Sequence, residues 1–439
     1  MYMAKRSSHR VTFDFQEHRL PNGLEVLVLR DTSLPVVSFQ IHFAAGSRNE
    51  RPGITGISHL FEHMMFRGSK ELGPEEFSKI IQANGGHTNA FTTTDNTSYY
   101  ENLPSEKLEL AVHLEAERLE NLRITEENLA TEREVVRSER KYRSVNSPFG
   151  LVLEQLFAAA FQIHPYRWPV VGWDQDLKTL SLEDCLAYYR IQYAPNNAVV
   201  VMVGDVEPDS AFSLVEKHFS HLPPQPEPEP VRAREIAQRG ERRLDFKKVA
   251  QAPGLFAGFH IPGIRDRDVF PLMVLGAVLS YGRSSRFYQT FIKTGRAVEA
   301  DVDLGSPPFL TMDPGLLTVG VVASPGQEMD RLEKDTWREL DSLRTRSIGT
   351  AELEKSKKKL RSSYLTSLQT HFFRGIVAGI CRIRAGDHQW INSIETSYEA
   401  VTAHDVKDVA ERYLTEDNRT VIHLVPVSPE ESERWGEYE

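Results

Sequence analysis

The segment His59-Leu60-Phe61-Glu62-His63 places two imidazoles and a carboxylate within little more than one turn of backbone, if that backbone is helical. Residues four apart share a helix face, so His59 and His63 can both reach one metal ion. Glu62 lies three positions after the first histidine and directly before the second. Its carboxylate borders the same place without having to ligate. A carboxylate so placed can take a proton from a water whose acidity a metal ion has raised. The competing reading is a helix that merely carries two surface histidines, and a third ligand decides between them.

Such a ligand is available in Thr131-Glu132-Arg133-Glu134-Val135-Val136-Arg137-Ser138-Glu139-Arg140. This proline-free, charged stretch reads as part of a long helix. Glu132 and Glu139 are two turns apart and project from one face. Val135 and Val136 mark the side expected to pack on a core. A carboxylate from this face completes a His-His-Glu set and leaves a fourth position for water. Glu134 reads instead as part of a solvated charged face.

These residues resemble the pitrilysin/insulinase family, which includes the mitochondrial processing peptidases and carries the inverted zincin order H-x-x-E-H. The matching pieces are His59-x-x-Glu62-His63, the run Glu132 to Glu139, Leu20-Pro-Asn-Gly23, Gly46-Ser-Arg48, and His164-Pro-Tyr166 with Gly172. The resemblance implies a zinc endopeptidase holding one Zn2+ per chain. It makes His59, His63 and Glu139 the metal ligands, Glu62 the general base and Glu132 a supporting carboxylate. It also makes Gly85 to Thr92 an edge strand that pairs with an extended peptide substrate, with Asn89 and Ala90 holding the scissile segment. His87 reads as a strand side chain and His164 as a loop-shaping residue.

The chain departs from the family pattern in its second half. Self-sufficient members carry an arginine and a tyrosine there that hold substrate. Here Lys293 stands near the first position, and Val298 or Glu299 at the second, neither able to donate a phenolic hydrogen bond. No second H-x-x-E-H occurs, and Lys355-Ser-Lys-Lys-Lys359 replaces the acidic run. The implied partner is a second subunit, either an identical chain or a paralogue supplying arginine and tyrosine. A non-catalytic assembly subunit of the same fold is the rival expectation.

The elements that must position these groups are legible in outline. Asn22-Gly23 is a turn before the strand Glu25 to Leu29, and Val36 to Ala44 is a second strand. Helices are expected over Ile57 to Phe66 and Glu75 to Asn84, strands within Thr88 to Tyr100, long helices from Glu106 to Tyr142, and a buried strand over Val199 to Val203. The proline-rich run Leu222 to Pro230 suits an extended linker. The expected organisation is therefore a zinc-binding domain over 1–221, a linker over 222–243 and a non-catalytic homologous domain over 244–439. Leu182 to Val203 matches Val401 to Val425 in element order, and Ile124 to Tyr142 matches Ile348 to Tyr364. This repeat predicts an α+β fold of two similar domains from an internal duplication, each a largely antiparallel sheet flanked by helices.

Composition narrows the partners. With 62 acidic against 52 basic residues the net charge is −10, which argues against nucleic acid as the main partner. Cys185 and Cys381, the two cysteines, are isolated in apolar settings and read as core residues rather than a disulfide or thiolate site. No run approaches the ~20 apolar residues of a membrane span. Met1 to Thr12 is basic and polar without the apolar run of a secretion signal, so the expected location is the cytoplasm, or the periplasm if the true start lies elsewhere.

Overall fold

The computed structural model describes residues 11–147 and 149–432. Most of the basic amino-terminal stretch lies outside them. The first half forms a six-stranded sheet in the order β1-β2-β6-β3-β5-β4. Its strands are β1 (Gln16–Arg19), β2 (Glu25–Arg30), β3 (Val36–Phe43), β4 (His87–Thr92), β5 (Thr97–Pro104) and β6 (Ala198–Gly204). All pairings are antiparallel except β2 with β6. Its helices are α1 (Ile57–Met64), α2 (Glu76–Ala83), α3 (Leu108–Asn121), α4 (Glu126–Arg140), α5 (Gly150–Ala160), α6 (Asp174–Thr179), α7 (Leu182–Gln192) and α8 (Pro208–Phe219).

The second half repeats this plan. Its strands β7 (Arg242–Val249), β8 (Gly254–Ile261), β9 (Ala297–Asp303), β10 (Gly315–Ala323) and β11 (Arg419–Val427) line up as β7-β11-β8-β10-β9. Removing β1 from the first sheet gives the same order, and the parallel pair β7–β11 stands where β2–β6 stands. Its helices are α9 (Val269–Ser280), α10 (Met329–Thr345), α11 (Thr350–Ser367), α12 (His371–Arg384), α13 (Ile394–Ala400), α14 (Ala403–Tyr413) and the short α15 (Pro429–Ser432). The protein is thus an α+β fold of two similar halves, each a largely antiparallel sheet with helices against it. Among the described residues, no helix is long and apolar enough to cross a membrane.

Each half lends a helix to the other. α5 packs Leu151, Val152 and Leu156 against Phe246, Phe256, Ile422 and Leu424 on the second sheet. In return α12 packs Val377, Ala378 and Cys381 into the core that holds Val199, Val201 and Val203 of β6. The alternation along β6 explains this. Val200 and Met202 point to the first half's own helices, and their neighbours point to α12. The approach is close. A Cβ on Gly379 would fall on the ring of buried His42 in β3, and one on Gly375 would meet the Gln40 side chain. Glu25 of β2 and Arg382 of α12 form a two-pronged ion pair at 2.5 and 2.6 Å across the same junction. Each lent helix gives one half a sheet face covered by residues of the other, so the two halves share their cores.

Candidate metal centre

α1 follows from its pattern. Ile57, Leu60, Phe61 and Met64 are fully buried at the spacing of one helix face. Burial of each large side chain is worth about 1.5–3 kcal/mol, enough to fix which side faces the core. Gly56 precedes it at φ +88°, and a Cβ there would meet the Val171 carbonyl oxygen at 2.5 Å and crowd Gly172. Only glycine fits that back-to-back approach. The Glu50 carboxylate, buried in the core, accepts 2.8 Å hydrogen bonds from the Gly56 and Ser58 amides at the helix start. Burial pushes the Glu50 pKa up to about 8, against the pull of those donors. The helix ends at Met64, two residues before the expected Phe66, where the chain turns.

α4 begins at an N-cap, Thr125, whose hydroxyl accepts from the Asn128 amide at 3.2 Å. Its buried face is Leu129, Glu132, Val136 and Arg140. Val135, expected on that face, is 39% exposed. One residue is 100° of helix, and that step carries Val135 out to solvent while Val136 packs.

The two helices bring the predicted ligands together. Ligand atoms of His59, His63 and Glu139 all lie within 4.8 Å of one another, and among the described residues no other grouping of histidine, cysteine and carboxylates does so. His59 Nε2 is 3.7 Å from one Glu139 oxygen, and His63 Nε2 is 3.2 Å from the other. Donors bound to zinc at about 2.0–2.1 Å in a tetrahedron stand roughly 3.4 Å apart, so this donor set fits such an ion.

Around these three, neighbours hold the donors in place. His63 Nδ1 faces Glu132 at 3.4 Å, turning Nε2 inward, and fully buried Glu132 also pairs with Arg67. Arg143, on the π-turn after α4, pairs with Glu139 at 2.9 Å. Burial, then the neighbouring charges of His63 and Arg143, hold His59 down at about 3, so it stays in the neutral form that ligates. For His63 burial opposes the charged form, but Glu132, Glu139 and Glu62 outweigh it and raise the pKa. Glu62 lies beside the cluster, and burial raises its pKa although Thr92 and His63 pull the other way. Its Oε2 accepts a 2.7 Å hydrogen bond from the Thr92 hydroxyl.

β4 is the outer strand of its sheet and pairs with β5 alone. Asn89 is exposed and Ala90 buried, with the Ala90 amide donating to Asn89's own Oδ1 at 2.9 Å. His87 is an exposed strand residue. His164 caps a short turn by accepting from the Tyr166 amide, and its Nε2 pairs with Asp313 at 3.1 Å. Cys185 and Cys381 are buried and unpaired. In the second half Lys293 bonds Gln289 at 3.0 Å, and Val298 and Glu299 lie exposed on β9. Thr92, Arg67 and Arg143 were not anticipated from sequence. Only Thr92 carried a signal, lying within the segment read as the edge strand.

The chain is similar to known proteins over most of its length. The sequence model for "Insulinase (Peptidase family M16)" matches residues 25–172, and that for "Peptidase M16 inactive domain" matches residues 179–360. The zinc protease PqqE of Helicobacter pylori is 29% identical over 414 residues, covering 93% of this chain and 92% of the relative. The mitochondrial-processing peptidase subunit beta of Blastocladiella emersonii is 26% identical over 420 residues, 94% of this chain and 89% of that subunit. The crystal structure of a protease from Helicobacter pylori superposes with a TM-score of 0.90 at 27% identity, covering 94% of this chain and all of the other. With both halves matched by models of one family, and a solved relative following the chain nearly end to end, the protein belongs to the insulinase (M16) peptidase family.

Proposed function

We propose that this chain is a zinc-dependent endopeptidase acting on extended, unfolded peptides, with Glu62 as general base and His59, His63 and Glu139 holding one zinc ion. The observation that carries the reading is the convergence of those three donors within 4.8 Å, with the Glu62 carboxylate beside them. Bound zinc would supply Lewis acidity, polarising the scissile carbonyl and making a water more acidic. Glu132 fixes the His63 ring so that Nε2 faces the ion. Glu62 takes the proton of the water as its oxygen attacks the carbonyl carbon, and passes it to the amide nitrogen as the carbon–nitrogen bond breaks. The open edge of β4, around Asn89 and Ala90, takes the substrate as an added strand through main-chain hydrogen bonds.

The working part is residues 1–221, with 222–243 as a linker and 244–439 as a non-catalytic counterpart. A second subunit, identical or paralogous, supplies the arginine and tyrosine that Lys293 and Val298/Glu299 do not provide. The inactive-domain description, matching residues 179–360, covers much of 244–439 and supports the non-catalytic reading of the second half. A second reading, an assembly subunit without turnover, draws on the same match. The test is zinc content and turnover of wild type against Glu62→Gln. A peptidase holds about one zinc per chain in both and loses turnover in the variant. Zinc-free wild type, or equal turnover in the two, rejects the proposal.

A further inference from the structure

The general base does not stand alone, and what holds it leads across to the other half. Thr92, the last residue of β4, donates its hydroxyl proton to Glu62 Oε2 at 2.7 Å. The neighbouring Thr97 hydroxyl spends its own proton on the Ala45 carbonyl at 2.8 Å and lies 3.4 Å from the Thr92 oxygen. Thr92 is therefore the donor that sets the carboxylate's rotation. Directly after it the chain turns over residues 93–96 into β5. That turn is gripped by Arg384 of α12, whose side chain is 1% exposed. Its guanidinium donates to Thr93 Oγ1 at 2.7 Å, to Asn96 Oδ1 at 2.8 and 3.2 Å, and to the Leu310 carbonyl at 2.8 Å, with Asp95 3.7 Å away. A fully buried arginine ties up several donors at once, and its planar fork leaves the turn few alternative positions.

We propose that Thr92 is a positioning residue for Glu62, and that Arg384, in the half without catalytic groups, fixes Thr92 by clamping the turn that follows it. This rests on Glu62 being the base. Thr92 also belongs to the strand whose edge receives substrate, so the same residue ties the seat of the peptide to the aim of the carboxylate. The second half then does more than wall the site. It holds the base through two hydrogen-bonded links, Arg384 to the 93–96 turn and Thr92 to Glu62.

The experiment uses the full zinc-loaded chain in the assembly in which it purifies, with an unstructured internally quenched peptide as probe. Thr92→Val keeps the shape of the side chain and removes the donor. Its kcat should fall about 10- to 100-fold with KM and zinc affinity within about two-fold, since a misaimed group costs rate rather than binding. Thr92→Ser should recover most of the loss. Full activity in Thr92→Val, or a loss confined to KM, overturns the positioning role. Arg384→Lys should lower kcat with the same split, and Arg384→Lys/Thr92→Val should be no slower than Thr92→Val alone. Additive losses in that cycle overturn the link through Arg384. Wild type and Glu62→Gln run alongside separate the two readings. Wild type without zinc or turnover brings down the peptidase reading and this one with it. An active wild type and an active Thr92→Val bring down this one only.

Discussion

α1 and α4 in the first half correspond to α9 and α11 in the second, and the two pairs differ in almost every polar residue. α4 starts at Glu126 and α11 at Thr350, so Leu129 and Leu353 hold the same place in each helix, and both are buried. By that register Ser356 stands where Glu132 stands, and Ser363 where Glu139 stands. α9 reads Val-Phe-Pro-Leu-Met-Val-Leu-Gly-Ala-Val-Leu-Ser and is buried nearly throughout, with no histidine or carboxylate. The second half keeps strand order and helix order, and among its described residues no three histidine, cysteine or carboxylate ligands converge as His59, His63 and Glu139 do. The architecture therefore depends on the apolar faces, and the charged cluster is an addition that the first half has to stabilise locally. Buried Glu132 needs Arg67 and His63, and the start of α1 needs Glu50. α9 itself carries no such group, and the one buried carboxylate at its start, Asp268, is held by Arg412 and Tyr413.

Substitutions at matching places in the two helix pairs should have the largest effects. Glu62→Gln should lower kcat by about 10²–10⁴-fold while zinc stays bound, the scale of a lost general base. Glu139→Ala should lose zinc, measured by metal analysis after dialysis. Ser363→Ala, at the matching place in α11, should change neither. Zinc loss in Ser363→Ala would mean that the second half contributes to the ion after all.

Next in size is the core of the second half. Leu275 of α9 is fully buried, and Leu275→Ala should cost about 2–5 kcal/mol in urea unfolding through the cavity it leaves. Because each half lends the other a helix, the loss should appear as one transition for the whole chain. Two separated transitions would show that the halves unfold independently.

That exchange of helices marks the limit of what the sequence discloses. The histidine pair, its neighbouring glutamate and the two-turn spacing of Glu132 and Glu139 are readable because helical periodicity is local. The repeat was readable in element order, and the strands Glu25 to Leu29 and Val36 to Ala44 agree with β2 and β3 within one residue. What a linear pattern does not carry is which half's sheet a helix covers. α5 and α12 are apolar enough to pack anywhere, and only the completed fold sends each across. Arg384 sits 288 residues from Asn96, and Thr92 30 from Glu62, so neither contact leaves a periodic trace. Val135 failed because the 100° step from Val136 carries it past the edge of the narrow buried face of α4.

Smaller effects probe the junction itself. Gly379→Ala puts a methyl against the His42 ring and should cost about 1–3 kcal/mol of stability by overpacking. His42 also gives the junction a pH dependence. It is buried between Ser98 Oγ at 2.8 Å, Gln40 Oε1 at 3.0 Å and α12, and burial lowers its pKa to about 3. A histidine whose folded pKa is depressed contributes stability above its unfolded value, near 6.5, and loses it as pH falls towards the folded value. Stability should therefore drop by up to about 1.4 kcal/mol per pH unit below that point from this residue. His42→Gln should remove that slope in urea titrations at successive pH values. An unchanged slope would assign the acid sensitivity to other groups.

The smallest expected effect tests whether α4 truly has a chemical face and a bland one. Glu134 lies between Glu132 and Glu139 in sequence, yet its side chain is 66% exposed and pairs with Arg137 at 2.9 Å. An exposed pair three residues apart is worth only about 0–1 kcal/mol, since water screens it and both long side chains lose freedom in making it. Arg137 also keeps a 2.8 Å bond to Asp174, so it retains a partner when Glu134 is neutralised. Glu134→Gln should accordingly shift stability by about 0.5 kcal/mol or less and leave zinc affinity and kcat at wild-type values. A ten-fold change in either would mean that the field of the whole helix, rather than the two inward carboxylates, tunes the site. The contrast with Glu132→Gln, which removes the partner of both His63 and Arg67 from a buried place, measures how much of the helix's charge matters to the ion.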